Sequence, residues 1–334
     1  MFAIGKNATF SIIIAMHVDV LALGDVFDLG LSAVLDVFQT ANELIEASGM
    51  SVSPFEVKIV GVRRAVRTSQ GLTVPVTAAG TRAPECVVVP AIGFKMPGPL
   101  TQALARSDVA DAASLLQQWS RRGALMTAAC IGTFVMAESG LLDEHRATTT
   151  WWLAPMFRQR YPRVLLDESS MVVKSGPCVT AGAALGHVDL ALWVVRSMSP
   201  QLASLTAKYL IVDSRPSQSA YALMDHLVHS DPVVQRFESW ARGRLAHGFS
   251  LEAAASAVGA SKRTLARRMR SVLGKSPLAY FQSLRVERAV HLLKTGSASV
   301  DEVAERVGYA DGATLRMLLR RSLNMGVREI RRAP

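Results

Sequence analysis

The chain has 334 residues, half of them apolar and 19% charged, which excludes wholesale disorder and leaves material for two cores rather than one. Three cysteines, Cys86, Cys130 and Cys178, lie far apart and make neither a disulfide framework nor a CxxC metal site, so the expectation is a reducing, cytoplasmic setting with no metal and no cofactor. The net charge of +10 sits at one end: residues 235–334 carry 19 Lys and Arg against 8 Asp and Glu, whereas residues 1–234 carry 18 against 19. A near-neutral body joined to a basic last third favours a polyanionic partner over a merely solubilising surface.

In chain order, the apolar stretches Ser11–Met16 and Val18–Leu23 are interrupted or followed closely by His17, Asp19, Asp25 and Asp28, so neither spans a bilayer, and no cleavable leader is read. Strand-like runs then alternate with helical ones. The runs are Phe10–Met16, Phe55–Val62, Cys86–Val89, Leu125–Ala128, Val164–Leu166 and Met171–Lys174. The helical segments are Ser32–Ala47, Pro99–Ser107, Val109–Arg122, Thr133–Ser139 and Gly186–Met198, with Gly49 and Gly140 as stops. Alternation of this kind predicts an α/β domain, a mostly parallel sheet with helices on both faces. Strand signals stop after Val212. Asp213-Ser214-Arg215-Pro216-Ser217 reads as a break, a helix is expected over Tyr221–Val228, and Ser230-Asp231-Pro232 is a second break. The expected division is a front unit over 9–212, a linker over 213–231 and an all-α unit over 232–332.

Two segments of the basic unit share one layout. Ser250 to Leu265 and Ser299 to Leu315 each contain a Ser N-cap, a short helix with a mid-helix alanine (Ala254, Ala304), Val-Gly (Gly259, Gly308), a turn and a second helix. The alanine is small where two helices cross, and the glycine supplies a left-handed turn position. This is a helix-turn-helix, present twice. In the first unit Ser261 caps the second helix, and Leu265, Met269 and Leu273 recur at helical spacing as its buried face. Arg263, Arg267 and Arg270 lie on another face, flanked by Lys262, Thr264 and Arg268. Guanidinium forks bond guanine edges or hold phosphates, and Arg263 and Arg267, nearest the helix start, are the expected base readers. The competing reading is an ordinary solvated basic helix. In the second unit Leu315, Leu318 and Leu319 face inward, leaving Thr314 and Arg316 as early polar candidates, with Arg320 and Arg321 placed for phosphates. Specificity is expected mainly from the first unit, and register and affinity from the second. A long amphipathic helix from Pro277 to Leu293 joins them, a spacer able to set two recognition helices about 34 Å apart, one DNA turn.

Residues 232–332 resemble the DNA-binding domain of the AraC/XylS family of bacterial transcription regulators. The carriers are Ser261 to Arg268, Gly274-Lys275-Ser276-Pro277-Leu278-Ala279-Tyr280, Arg285-Val286-Glu287-Arg288-Ala289 and Val307-Gly308-Tyr309-Ala310-Asp311. The family's closing Ser-Pro-x-x-Tyr-Arg is here Gly326 to Arg331 without proline or tyrosine, which bears on the packing of the last short helix.

In the neutral part, Ala124 to Phe134 reads as a strand, a sharp turn at Cys130 and a helix start. A side chain on such an elbow stands at the carboxyl edge of the sheet, where open α/β folds bind ligands. The helix start is expected to favour the thiolate. Asp28, after the first strand, can reach the same edge. No base is placed by the sequence: Ile131 follows Cys130, and His17, His145 and His187 are unassigned. With Leu141 to Trp152, Val179-Thr180-Ala181-Gly182 and Asp189 to Leu192, residues 9–198 resemble the ThiJ/PfpI class, glutamine amidotransferase-like domains of the kind fused to AraC regulators (GlxA-like). The resemblance implies a flavodoxin-like sandwich, often dimeric. Catalytic relatives carry Cys-His at the elbow where this chain has Cys130-Ile131, and regulator relatives read Ala-Thr-Thr-His-Trp where it has Ala147-Thr148-Thr149-Thr150-Trp151. Losing both histidines argues against hydrolysis and leaves Cys130 as a pocket residue. Pro90-Ala91-Ile92-Gly93 resembles a loop whose backbone N–H groups would hold a carboxylate. Thr180 and the Trp151–Trp152 pair complete the expected pocket of Asp28, Ile92, Gly93, Cys130, Ile131, Trp151 and Thr180.

Together these imply a regulator whose front unit binds a small effector, by analogy an amino acid or related nitrogenous metabolite, with promoter DNA, RNA polymerase and a second copy as partners and no membrane. Two alternatives are weighed: a ThiJ/PfpI-type cysteine hydrolase or glyoxal-detoxifying enzyme with a DNA-binding tail, and an architectural binder whose front unit only dimerises.

Overall fold

In the computed structural model, residues 15–332 are described apart from Thr81, Ser214, Pro216, residues 219–228, Ser230 and Asn324. The expected strand over Phe10–Met16 lies almost wholly outside the described residues, as does the expected helix over Tyr221–Val228. The first strand described, β1 (Met16–Leu21), instead runs through the polar His17 and Asp19. Its alternation explains this: Val18 and Val20 are wholly buried, while His17 and Asp19 lie in register opposite Glu56 and Lys58 of β2 (Phe55–Gly61). The Glu56 carboxylate meets His17 across the sheet at 3.0 Å and Lys58 of its own strand at 2.6 Å, and Lys58 stands in register beside Asp19, so the charges that interrupt the apolar run lie in one mixed-charge patch.

After β1 comes α1 (Asp28–Ser48), stopped by Gly49 at φ 61°. A small antiparallel pair, β3 (Ala65–Arg67) and β4 (Thr73–Pro75), follows β2, then β5 (Thr77–Ala78) and β6 (Cys86–Val89). Next are α2 (Pro97–Leu104), α3 (Ser107–Arg121), β7 (Leu125–Ala129) and α4 (Gly132–Glu138). Strand β8 (Arg146–Ala147), a 3-10 turn at Trp151–Leu153, α5 (Ala154–Arg160) and β9 (Leu165–Leu166) lead to the hairpin of β10 (Val172–Ser175) and β11 (Cys178–Ala181). Helices α6 (Gly186–Met198) and α7 (Pro200–Tyr209) close the unit.

Seven strands form one sheet in the order β10-β11-β7-β6-β1-β2-β5, parallel except for β10, the flavodoxin-like sandwich that was expected. One face is covered by α2, α3, α4 and α5 over a core that includes Leu100, Leu116, Trp119, Phe134 and Phe157. The other is covered by α1, α6 and α7 around Val34, Phe38, Leu190, Val194 and Leu202. Chain order reverses between β1 and β6, so the loops after these strands flank the topological switch point.

The last third is all helix: α8 (Pro232–Arg242), α9 (Leu251–Ala257), α10 (Lys262–Leu273), α11 (Pro277–Thr295), α12 (Val300–Arg306), α13 (Gly312–Leu323) and α14 (Val327–Arg332). It has two cores. Phe237, Ala254, Leu265, Met269, Tyr280 and Phe281 fill the first; Ala289, Val303, Leu315, Leu319 and Ile330 fill the second, and α11 contributes to both. Ile330 is 1% exposed, so α14 is seated without the proline and tyrosine the resemblance leads one to expect.

Candidate functional site

Each helix-turn-helix is assembled by the devices its sequence carries. The Ser250 and Ser261 hydroxyls accept the backbone N–H groups of Ala253 and Thr264, capping α9 and α10. In the second unit Ser299 and Glu302 close a capping box on α12, and Asp311 Oδ1 accepts the Thr314 N–H at 2.7 Å at the start of α13. Ala254 and Ala304 are wholly buried at the helix crossings, and Gly259 and Gly308 take the left-handed turn.

The reading faces are open. On α10, Leu265, Met269 and Leu273 are buried, while Lys262, Arg263, Arg267, Arg268 and Arg270 are exposed and Thr264 is half-buried. On α13, Leu315 and Leu319 are buried, Arg316 and Arg320 are exposed, and Thr314 is half-buried. Leu318 is half-buried rather than fully inward. Two of the cations have protein partners: Arg268 meets Asp231 at 2.9 Å and Lys262 meets Glu252 at 3.3 Å. Both pairs are solvent-accessible on the cationic side.

Sequence reasoning quoted Arg285 only as part of a resemblance. In α11 it is 8% exposed, donates from Nε to the Leu245 carbonyl at 2.9 Å and from Nη2 to the His247 carbonyl, and lies over the rings of Phe281 and Tyr309 at 4.8 and 5.0 Å. Leu245 belongs to the first unit and Tyr309 to the second, so one guanidinium ties both together.

The front unit places its expected pocket residues in two groups at the carboxyl edge. In the first, Asp28 opens α1 and accepts from the Ser69 hydroxyl at 2.9 Å and the Gln70 N–H at 3.1 Å, both in the β3–β4 loop. Burial raises its pKa, but hydrogen bonds from Thr68, Ser69 and Gln70 outweigh that and hold it below the ordinary carboxylate range. Gly93 lies against Ser69, where a Cβ would come within 2.2 Å of it. The loop over Pro90–Gly93 does not offer the free N–H groups expected of it. Ala91 N–H donates to His187 Nε2 at 3.0 Å, Gly93 N–H to the Asp25 carbonyl at 2.7 Å, and Ile92 pairs with Val26 across a β-bridge. The two switch-point loops are zipped to each other, which consumes the donors.

The second group surrounds the elbow. Cys130 has φ 56°, its N–H donates to the Ala181 carbonyl at 2.7 Å, and its own carbonyl accepts the Thr149 hydroxyl at 2.8 Å. Gly132 lets the elbow close on β6, since a Cβ there would lie 2.2 Å from the Val89 carbonyl. The expected thiolate is not supported: Cys130 is 3% exposed, and burial pushes its thiol up to about 12, against which the Ile131 backbone, the Thr150 hydroxyl and the Lys95 charge pull only weakly. Ile92 and Ile131 are buried with it in the core. Trp151 and Trp152 meet edge to face at 5.6 Å, half-buried, with Trp152 Nε1 donating to the Lys95 carbonyl at 3.3 Å. Thr180 is buried and accepts the Thr148 N–H at 2.8 Å.

The three histidines are all engaged away from the thiol. His17 pairs with Glu56, His145 meets Ser175 at 3.1 Å, and His187 is locked between Ala91 N–H and the Ala184 carbonyl. Accepting at Nε2 fixes His187 as a neutral imidazole, and burial lowers its pKa to about 4.

One residue that no reading anticipated completes the elbow group. Gln218, in the linker, is fully buried; its Nε2 donates to Thr148 Oγ1 at 3.0 Å and to the Thr149 carbonyl at 2.9 Å. An open cleft lies elsewhere, at the seam between the units, where about 640 Å³ is lined by Arg146, Arg158, Asp167, Glu168 and Gly274 among others. There Arg158 of α5 donates to the Val272 carbonyl at the end of α10 at 3.1 Å and meets Glu168 at 2.9 Å, holding the rear of the first recognition helix and leaving its front free.

Among the described residues no helix is long and apolar enough to cross a membrane. Residues 254–333 match a family model described as a helix-turn-helix domain. The chain is 25% identical over 288 residues to the HTH-type transcriptional regulator GbdR of Pseudomonas aeruginosa, covering 84% of this chain and 74% of that protein. It is 27% identical over 199 residues to CdhR, another HTH-type transcriptional regulator of that organism, covering 58% and 59%. An AraC family transcriptional regulator from Pseudomonas putida superposes with a TM-score of 0.49 at 18% identity, covering 58% of this chain and 98% of that one. The chain is thus similar over most of its length to HTH-type transcriptional regulators, and its last third carries the helix-turn-helix that the family model describes, behind a mostly parallel α/β domain.

Proposed function

We propose that regulation is ligand-gated: a small nitrogenous metabolite binds residues 9–212 at the carboxyl edge around Cys130, and the linker 213–231 transmits its presence to residues 232–332. In this reading α10 reads base edges through Arg263 and Arg267, Arg268 and Arg270 hold phosphates, and Thr314, Arg316 and Arg320 of α13 set register one DNA turn away. The front unit also pairs two copies, and the protein acts in the cytoplasm on promoters beside RNA polymerase. The front unit does no chemistry of its own. A buried thiol near pKa 12, with every candidate histidine engaged elsewhere, supports a positioning role for Cys130 rather than nucleophilic attack.

The open arginine face of α10, on a capped helix whose opposite face is core, is the observation that carries the reading. Sites selected from random duplexes and followed by fluorescence anisotropy test it. Arg267→Ala is expected to weaken the selected site by about 1–3 kcal/mol and random DNA hardly at all. Equal losses on both would assign Arg267 to phosphate. Turnover of amide, peptide or glyoxal substrates that Cys130→Ser abolishes would restore the enzyme alternative.

A further inference from the structure

The surroundings of Cys130 are closed, and what closes them comes from the linker. Thr148, Thr149, Thr150 and Thr180 are all at most 1% exposed, and Gln218 is wholly buried among them. Its carboxamide nitrogen faces three oxygen acceptors: Thr148 Oγ1 at 3.0 Å, the Thr149 carbonyl at 2.9 Å and the Ser170 carbonyl at 3.5 Å. Among the described residues its carboxamide oxygen is buried with no hydrogen-bond partner, as is the Thr133 hydroxyl one turn beyond the elbow. Orphaned groups of this kind carry an uncompensated desolvation cost, so the amide is held in a socket that suits its nitrogen and is left unsatisfied at its oxygen. Gly182, at the end of β11, makes room: a Cβ there would lie 2.4 Å from Gln218 Nε2. The socket is continuous with the elbow, because Thr149 accepts Gln218 through its carbonyl and donates its hydroxyl to the Cys130 carbonyl.

The linker on its N-terminal side is fastened with it. Arg215 donates to the Leu185 carbonyl at 3.2 Å and to Asp189 at 2.8 Å. Gln218 N–H donates to the Ser169 carbonyl at 2.9 Å, and Ser217 pairs with Ser170 in a β-bridge. Asp231, at the other end of the linker, caps α8 and pairs with Arg268 of α10.

We infer that Gln218 is a built-in occupant of the effector socket, and that an uncharged metabolite bearing a primary carboxamide enters by displacing it and so frees the linker. The acceptors fit an N–H donor head, and their neutrality favours an amide over an ammonium, since an unpaired cation is far costlier to bury than an amide. A ligand whose amide oxygen finds a partner gains over Gln218, whose own oxygen has none among the described residues. The inference rests on the ligand-gated reading but is tested without DNA. A failure here therefore leaves DNA recognition standing, and a failure of DNA recognition leaves the socket.

The probe is acetamide, the fragment that Gln218→Ala deletes, used on the full-length protein. Hydrogen exchange at the residue-218 amide and thermal melting are the readouts. Gln218→Ala is expected to exchange there at least about tenfold faster than wild type and to melt lower, and acetamide is expected to raise its melting temperature saturably by a few degrees. Gly182→Ala fills the socket, so it should loosen the linker in the same way without responding to acetamide. In wild type, rising acetamide should speed exchange at Gln218 by competition, a test that requires no variant to fold. Acetate should do none of this. The inference is overturned if acetamide shifts wild type, Gln218→Ala and Gly182→Ala alike, or if wild-type exchange at Gln218 is indifferent to it.

Discussion

At the scale of single residues, the titration of the front unit's cysteines and of His187 is set chiefly by burial. Cys86 and Cys130 are each pushed up to about 12 by burial, and Cys178 to about 11. At pH 8 all three are thiols behind a packed core. Native protein mixed with a disulfide reagent is expected to release almost no chromophore over minutes, and denatured protein three equivalents at once. A fast single equivalent lost in Cys130→Ser would mean that the elbow opens. His187 makes a different prediction, because its folded pKa, about 4, lies below the ordinary 6.5. Between those values the unfolded chain binds a proton that the folded chain refuses. Stability therefore rises with pH through this window and is lost as pH falls from about 6.5 to 4, by on the order of 3 kcal/mol at the limit. Urea melts at pH 7.5 and 4.5 should show that slope, and His187→Gln should flatten it. The ring also sits where a Cβ on Gly30 would come within 2.5 Å of it, so the effect belongs to the packing of α1 on α6.

At the scale of elements, two glycines separate local backbone strain from contact between the units. Gly259 in the first turn has φ 66° and open space around it; Gly274 at the end of α10 has φ 67° but lies 2.4 Å, from an added Cβ, to Arg158. Gly259→Ala is expected to cost about 1 kcal/mol, the price of the left-handed conformation alone. Gly274→Ala costs that and also displaces Arg158 from the Val272 carbonyl and Glu168, so amide exchange in α5 should quicken only in this variant. Exchange that stays unchanged would mean that α5 and α10 touch without holding each other. These elements also mark what the sequence made legible. Caps, turn glycines and the spacing of Leu265, Met269 and Leu273 are local signals, and the whole basic unit follows from them. Strands over Cys86–Val89 and Leu125–Ala128 are legible as short apolar runs, the second extending one residue further in the fold, and Cys130 as an elbow. What escaped depends on partners distant in sequence. Strand β1 carries His17 and Asp19 because Glu56 and Lys58 answer them across the sheet; α5 and α7 are short, with a proline in the first turn; and the grip of Ser69 and Gln70 on Asp28 spans some forty residues. The supply of free N–H groups expected over Pro90–Gly93 failed for the same reason: the loop's donors are spent on Asp25 and His187, which only the folded topology brings near.

At the scale of the whole molecule, DNA recognition depends on the two helix-turn-helix units behaving as one body, and Arg285 is where that is decided. A helix alone would fix their spacing only as well as its ends are held. The guanidinium adds carbonyl bonds to Leu245 and His247 on one side and stacking on Tyr309 on the other, packed so tightly that a Cβ on Gly308 would approach it within 2.3 Å. Rigidly joined units bind as a pair, the second at high effective concentration once the first has landed; loosened units lose that gain without losing any contact to DNA. Arg285→Ala is therefore expected to bind a duplex carrying only the first unit's half-site within about threefold of wild type. On the full site it should fall by about a hundredfold. Under the proposed function Arg316→Ala and Arg320→Ala act differently, each expected to remove a phosphate contact: both should weaken full-site and random DNA together and lower the salt slope by roughly one unit apiece. Anisotropy titrations of the three variants on full-site, half-site and random duplexes between 50 and 200 mM salt separate the two mechanisms. Circular dichroism melts confirm that Arg285→Ala is still folded at the assay temperature. If its half-site affinity drops as far as its full-site affinity, the residue supports the fold of the first unit and not the coupling, and the pairing of the two reading helices must be sought in α11 itself.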